Sequence, residues 1–294
     1  FGHFIGMKAS GEVAYHLNFE YNKNKPNDIV FDSKVEAKGV KITDYGASDL
    51  TKMNSPFTYR AIEDGIPQRA IYVGTSNPNF TPLENISKYL QKSVLTSEDP
   101  SFHYHNGFVN EAFKQSIIKN IKTKKFARGA STISMQLVKN VFLTREKNFS
   151  RKLEEILLVY LLESQRISTK PRMFEVYFNI IEWGPNVYGI GEASQFYFQK
   201  SPFDLTLKES LFLASIIPSP KKYRWKFDNQ GNLKPFAVKK HDFIKNLMLR
   251  RGLISADDTI GYVMPLRLTG NAAHFIKEKD TIVIDSLDLE VFDY

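Results

Sequence analysis

Cysteine is absent from all 294 residues, which excludes disulfides and every thiolate zinc site. A long hydrophobic run is absent too. The longest apolar block, ILLVYLL from Ile156 to Leu162, is far shorter than the ~18–20 residues a membrane-spanning helix needs. The first residues lack the charged and apolar pattern of a signal peptide. Internal repeats and low-complexity tracts are lacking as well. No Lys-Ser or Lys-Thr follows a second glycine at P-loop spacing, and no zinc-finger, RNA-recognition or basic-zipper pattern occurs. The chain starts at Phe1 rather than methionine, so we expect a trimmed piece whose anchor or signal lies ahead of it.

What is present is a globular composition, 42% hydrophobic and 24% charged, with enough length for one large domain or two ordinary ones. Net charge is +8, which favours an anionic partner such as nucleic acid, anionic lipid or a phosphorylated substrate. Residues 1 to 81 carry strand patterns. In VAYHLNFEY, Val13, Tyr15, Leu17, Phe19 and Tyr21 alternate with polar or small residues, which predicts a half-buried strand. DIVF, KVEAKGVKI and RAIYVG predict further short strands, punctuated by NKNKPND and EDGIPQ.

From Pro82 the period becomes helical. Ser131 is expected to cap a helix carrying Ile133, Leu137, Val138 and Val141, and Ser150 one from Arg151 to Ser164. Pro171 opens another, with Met173, Val176, Tyr177 and Ile180 at helical spacing. Thr206 and Glu209 form a capping box ahead of SLFLASII, which Pro218 stops. Phe236 to Arg251 is amphipathic and ends at Gly252. The expected class is α+β: a small antiparallel β domain over 1–81, a mostly α domain over 82–255 and a C-terminal extension over 256–294.

Five clusters could carry chemistry. SEDPSFHYHNG, Ser97 to Gly107, crowds Glu98, Asp99, His103 and His105 around a proline that breaks helix. It reads as a carboxylate at a cleft mouth or as solvated acids at a helix end. A His103–His105 metal site is disfavoured, because no third ligand follows at matching spacing. RGASTISMQLVKN sends small residues into a helix start that can offer N–H groups to an anion. Gln136, Lys139 and Asn140 share one face there, as a functional or merely solvated stripe. In RKLEE, Arg151 and Lys152 suit phosphate and Glu155 stands beside them, or Arg151 and Glu155 form a plain surface pair. YFNIIEWGPNVYGIGEASQFYF reads as a tight core that shapes a site. Phe108, Val109, Phe113, Ile117 and Ile121 line a basic amphipathic stretch that suits a membrane interface or an ordinary core-facing helix.

In their order these clusters resemble the peptidoglycan glycosyltransferases of family 51. EDPSFHYHNG is similar to the family's E-D-x-x-F-x-x-H-x-G, and RGASTISMQLVKN to its second motif, with Met135 where a glutamine is usual. RKLEE, YFNIIEWGPNVYGI and ESLFLASIIPSP fit the remaining three. The resemblance covers about Pro82 to Tyr223, and no S-x-x-K or K-T-G transpeptidase signature accompanies it. It implies a lysozyme-like fold with a membrane-facing jaw at Phe108, Val109, Phe113, Ile117 and Ile121. It implies polymerisation of lipid II by inverting displacement, with Glu98 as general base and Glu155 as a second catalytic glutamate. Asp99, Ser131, Gln136, Lys139, Asn140, Arg151 and Lys152 are then the substrate-binding residues. No cofactor is required by this scheme, although Mg2+ or Mn2+ is compatible with Glu155. The implied partners are lipid II, the growing glycan strand, the bacterial cytoplasmic membrane at its outer face and other cell-wall synthesis proteins, with no nucleic acid. Competing readings are a lysozyme-like hydrolase and a non-catalytic basic binder of lipid or nucleic acid.

Overall fold

The computed structural model describes residues 2–25, 28–63, 65–107, 109, 131–143, 149–263 and 265–276. The chain opens with a long hairpin of β1 (Met7–Glu20) and β2 (Val30–Tyr45), paired antiparallel. The two strands expected from DIVF and KVEAKGVKI are one continuous strand, β2. Its register sets Tyr15 opposite Val35 and Phe19 opposite Phe31, so the apolar residues share one face. That face is not half-buried as expected: Val13, Leu17 and Phe19 are 46%, 50% and 48% exposed. Alternation reports a strand's period, and the second layer that would cover it is a separate matter.

Past the hairpin come short strands β3 (Phe57–Tyr59), β4 (Ile62–Glu63), β5 (Ile66–Pro67) and β6 (Ile71–Val73), with β3 paired to β6 and β4 to β5. Seven described helices follow: α1 (Lys88–Glu98), α2 (Ile133–Phe142), α3 (Phe149–Ser164), α4 (Lys170–Ile180), α5 (Ile190–Phe198), α6 (Leu207–Ile216) and α7 (Pro235–Arg250). A two-stranded ladder, β7 (Glu182–Gly184) with β8 (Val187–Tyr188), joins α4 to α5. The protein is therefore mixed helix and sheet, mostly helical after residue 82.

Local chemistry explains the helix ends. The Thr132 hydroxyl accepts from the Met135 amide, so Thr132 caps α2 rather than Ser131. Thr169 caps α4, and Thr206 with Glu209 forms the expected box at α6. Each such cap contributes roughly 0.5–2 kcal/mol. Helix α3 begins at Phe149, earlier than a Ser150 cap would allow.

Leu50, Met53, Phe57, Tyr59, Ile71 and Val73 belong to the same buried cluster as the helices, so the core runs across residue 81 without a break. At its centre Phe102, Phe174, Phe178 and Trp183 form a chain of ring contacts, with Phe178 stacked on Trp183 at 6.1 Å. Beyond residue 256, Leu266 and Ala272 also join the core, and the extension from 277 onward lies outside the described residues. Among the described residues no helix is long and apolar enough to cross a membrane.

Candidate functional site

The last residue of α1 is Glu98, and the chain breaks from helix at Asp99, where Pro100 follows. A carboxylate at this point stands at the helix C-terminus, facing the neighbours of α1 rather than continuing its own surface. Glu98 is partly exposed, and its Oε2 accepts from Nε2 of Gln136 at 3.2 Å. Oε1 of Gln136 in turn accepts from the Tyr177 hydroxyl at 3.2 Å. Burial raises the Glu98 carboxyl above its ordinary value, while the Gln136 bond and the Lys240 cation pull it back down and neighbouring Asp99 adds a smaller upward push. The balance is an acid group tuned upward yet supplied with partners for its charged form, which suits proton transfer near neutral pH.

Lys240 acts on this point from α7, which packs against α1. The Tyr89 hydroxyl donates to Asp258 at 2.6 Å, Lys92 donates to the Leu253 carbonyl at 2.7 Å and Ser93 meets the Met248 sulfur at 3.5 Å. Asp258 and Leu253 lie just past the end of α7, and Met248 lies on it. Lys226, buried beside Lys240, is pushed down to about 8 by burial and then by that second cation. The neighbouring His241 is buried against Ser215 at 3.1 Å and pushed down to about 3, chiefly by burial.

Asp99 was expected among the substrate-binding side chains, but it is 3% exposed and turned inward. Its Oδ2 accepts from the Ile133 amide, at the N-terminus of α2, and pairs with His105. The His105 ring is thus committed to the protein scaffold. Phe102 is fully buried, with Lys170 4.5 Å above its ring, and it anchors the same loop. The motif EDPSFHYHNG is a brace: Phe102, Asp99, His105 and Gly107 hold the turn, and Glu98 at the helix end keeps its carboxylate partly exposed.

On α2, Lys139 and Asn140 follow Gln136 by one turn on the same face. They line a small cleft with Leu143 and with Tyr59 and Ile62 from the N-terminal region. Met135 is fully buried, so the apolar residue at this motif position packs inward and does not face the cleft. Ser131 is exposed just ahead of the α2 cap. Glu155 is buried on α3 beside Glu154. Arg151 and Lys152 lie in α3 by backbone, and their side chains are outside the described part of the structure. Of the jaw residues, Val109 is partly exposed, and Phe108, Phe113, Ile117 and Ile121 fall outside the described residues. Among the described residues no group of three His, Asp or Glu side chains could hold a metal ion, so none is assigned to Mg2+ or Mn2+.

Tyr177 and Lys240 carry no local signal of their placement beside Gln136 and Glu98. Tyr177 reads as one more core position of an amphipathic helix, and Lys240 as one cation on the polar side of another.

A family model described as Transglycosylase matches residues 67–247. A protein named biosynthetic peptidoglycan transglycosylase from Paraburkholderia xenovorans (strain LB400) is 39% identical over 144 residues, 49% of this chain and 59% of that protein. Proteins of the same name from Nitrosomonas eutropha (strain DSM 101675 / C91 / Nm57) and Bdellovibrio bacteriovorus (strain ATCC 15356 / DSM 50701 / NCIMB 9529 / HD100) are 44% and 42% identical over 144 and 146 residues. These cover 49% and 50% of this chain, and 58% and 57% of the relatives' own lengths. The chain thus spans less than two thirds of the length of each of these three relatives.

Proposed function

The chain belongs to the transglycosylase family, and from that premise we propose that it is a peptidoglycan glycosyltransferase that polymerises lipid II into glycan strands. The observation that carries the reading is Glu98 itself, partly buried at the end of α1 and held by the Gln136 amide, with Lys139 one turn further along the same face. Glu98 takes the proton of the acceptor sugar's 4-hydroxyl. That oxygen forms the new bond to the donor's anomeric carbon as the bond to the diphosphate breaks, and undecaprenyl diphosphate leaves with the electron pair. An α-linked donor becomes a β-linked product in one displacement, so a single base suffices and no covalent enzyme intermediate forms. Lys139, Arg151 and Lys152 offset the charge on the leaving diphosphate, and Ser131, Gln136 and Asn140 hold sugar and phosphate oxygens. Glu155 steadies the basic cluster from α3.

Within this reading the helical part adopts a lysozyme-like fold whose jaw, residues 108–125, dips into the outer leaflet of the cytoplasmic membrane. There the lipid tail of the substrate resides, and other cell-wall synthesis proteins meet the enzyme. The +8 charge supports attraction to anionic lipid and to diphosphate.

The experiment is incubation with labelled lipid II. Strand growth by the wild type, lost in Glu98→Gln and reduced ~10²-fold in kcat/KM by Lys139→Glu, is the expected result. Clearing of finished peptidoglycan without strand growth would instead make the protein a hydrolase. Salt-sensitive retention on DNA with no lipid II turnover would make it a binder.

A further inference from the structure

Gln136 has a donor end and an acceptor end, and each has its own partner. Nε2 lies 3.2 Å from Oε2 of Glu98, and Oε1 lies 3.2 Å from the Tyr177 hydroxyl. An ionised carboxylate only accepts, so it requires the NH2 end of the amide. Oε1 then faces Tyr177, whose hydroxyl must donate. With the amide reversed, two oxygens would oppose each other at Glu98, a repulsive contact at the residue that has to bear charge.

Tyr177 is built to hold that orientation. It is fully buried, and its ring is set by Phe174, stacked at 6.4 Å, and Phe178, edge-on at 6.3 Å. Burial first, then the charges of Glu98 and Asp99, keep its phenol well above the ordinary value, so the donor proton stays on it. A donated bond at Oε1 polarises the amide and strengthens the N–H bond at its other end.

We propose that Tyr177 is a positioning residue for Glu98, acting through the Gln136 amide to keep that carboxylate ionised and aimed at the acceptor hydroxyl. The inference rests on the reading of Glu98 as general base. Among the described residues the groups facing Glu98 are Gln136 and, behind it, Tyr177, together with Lys240 from α7 and Asp99 from its own turn. Of these described groups, the Gln136 and Tyr177 pair couples through an orientable amide.

The test is Tyr177→Phe, which removes one oxygen and keeps the ring. Expected are a melting temperature close to wild type, an unchanged KM for lipid II and a roughly 3- to 10-fold fall in kcat, the size of one neutral hydrogen bond. The acid limb of the kcat–pH profile should move to higher pH, because losing the relay weakens the bond that lowers the Glu98 value. Gln136→Met should move the limb the same way, and the double variant should add nothing further. Should Tyr177→Phe fail to fold, 3-fluorotyrosine at position 177, a stronger donor of the same shape, carries the measurement and should move the limb to lower pH. A carbon-13 NMR titration of the Glu98 carboxyl reads the shift without turnover. A carboxyl titration or acid limb that superimposes on wild type, or additive effects of the two variants, would overturn the inference. A Glu98→Gln enzyme that still polymerises would overturn the general-base reading instead, so the two failures are distinct.

Discussion

Oδ2 of Asp99 lies 2.8 Å from Nε2 of His105 and 2.9 Å from the Ile133 amide nitrogen. The Gly107 amide donates to Nδ1 of the same ring at 2.9 Å, so Nδ1 is the bare nitrogen and Nε2 carries the hydrogen that reaches Asp99. One buried oxygen therefore ties the turn after Glu98 to the start of α2, which carries Gln136. Asp99→Ala strands the Ile133 amide and the His105 N–H together. We expect a loss of about 2–3 kcal/mol in urea unfolding, with activity falling alongside because α2 is no longer held to α1. Asp99→Asn, which keeps one acceptor, should recover part of both.

Gly107 closes that turn at φ +101°, and a Cβ placed on it would lie 2.3 Å from Cγ1 of Val159 in α3. Backbone strain and steric overlap add here. Gly107→Ala should cost at least about 2 kcal/mol by thermal or urea unfolding. A companion Val159→Ala should return only the steric part. Full recovery by the pair would mean that the left-handed backbone carries no strain.

Burying the Glu98 carboxyl costs stability once it ionises. Its native carboxyl is raised, mainly by burial, so the folded state holds the proton more tightly than the unfolded chain. The contribution is fully present below the unfolded value of 4.5 and is lost as pH rises through the native value. At pH 7 the protein carries a partly buried charge that Glu98→Gln removes. The variant should therefore melt above wild type at pH 7, and the gap should close near pH 4. Equal melting curves at pH 7 would contradict the upward direction of the shift.

Lys240 favours the charged form of Glu98 from the α7 side. Lys240→Met should move the acid limb of the pH–rate profile to higher pH and lower the rate at pH 6 more than at pH 8, about 3- to 10-fold at the lower pH. Lys240→Arg should stay near wild type. A uniform fall at every pH would point to substrate binding in place of tuning.

Much of this was legible from residue order alone. The α4 start at Pro171, the Thr206–Glu209 box and the Gly252 stop depend on groups within a turn of one another, and short-range chemistry is written in the chain. The position of Glu98 was legible too, because E-D-P places an acid where a helix must end. The capping residue of α2 was misplaced by one, since Ser131 and Thr132 are chemically interchangeable as caps and only the geometry chooses.

The sequence by itself determined the helical periods, the hairpin's alternating residues and the ordered motifs, all of which need only neighbours along the chain. Tertiary structure decided which side chains meet: Gln136 reaches Glu98 across 38 residues and Tyr177 across 41, and Asp99 turns inward while Glu98 remains partly exposed. It also left the β1–β2 apolar face exposed. Such outcomes depend on how helices and strands pack against one another, and periodicity says which face is apolar without saying what will cover it.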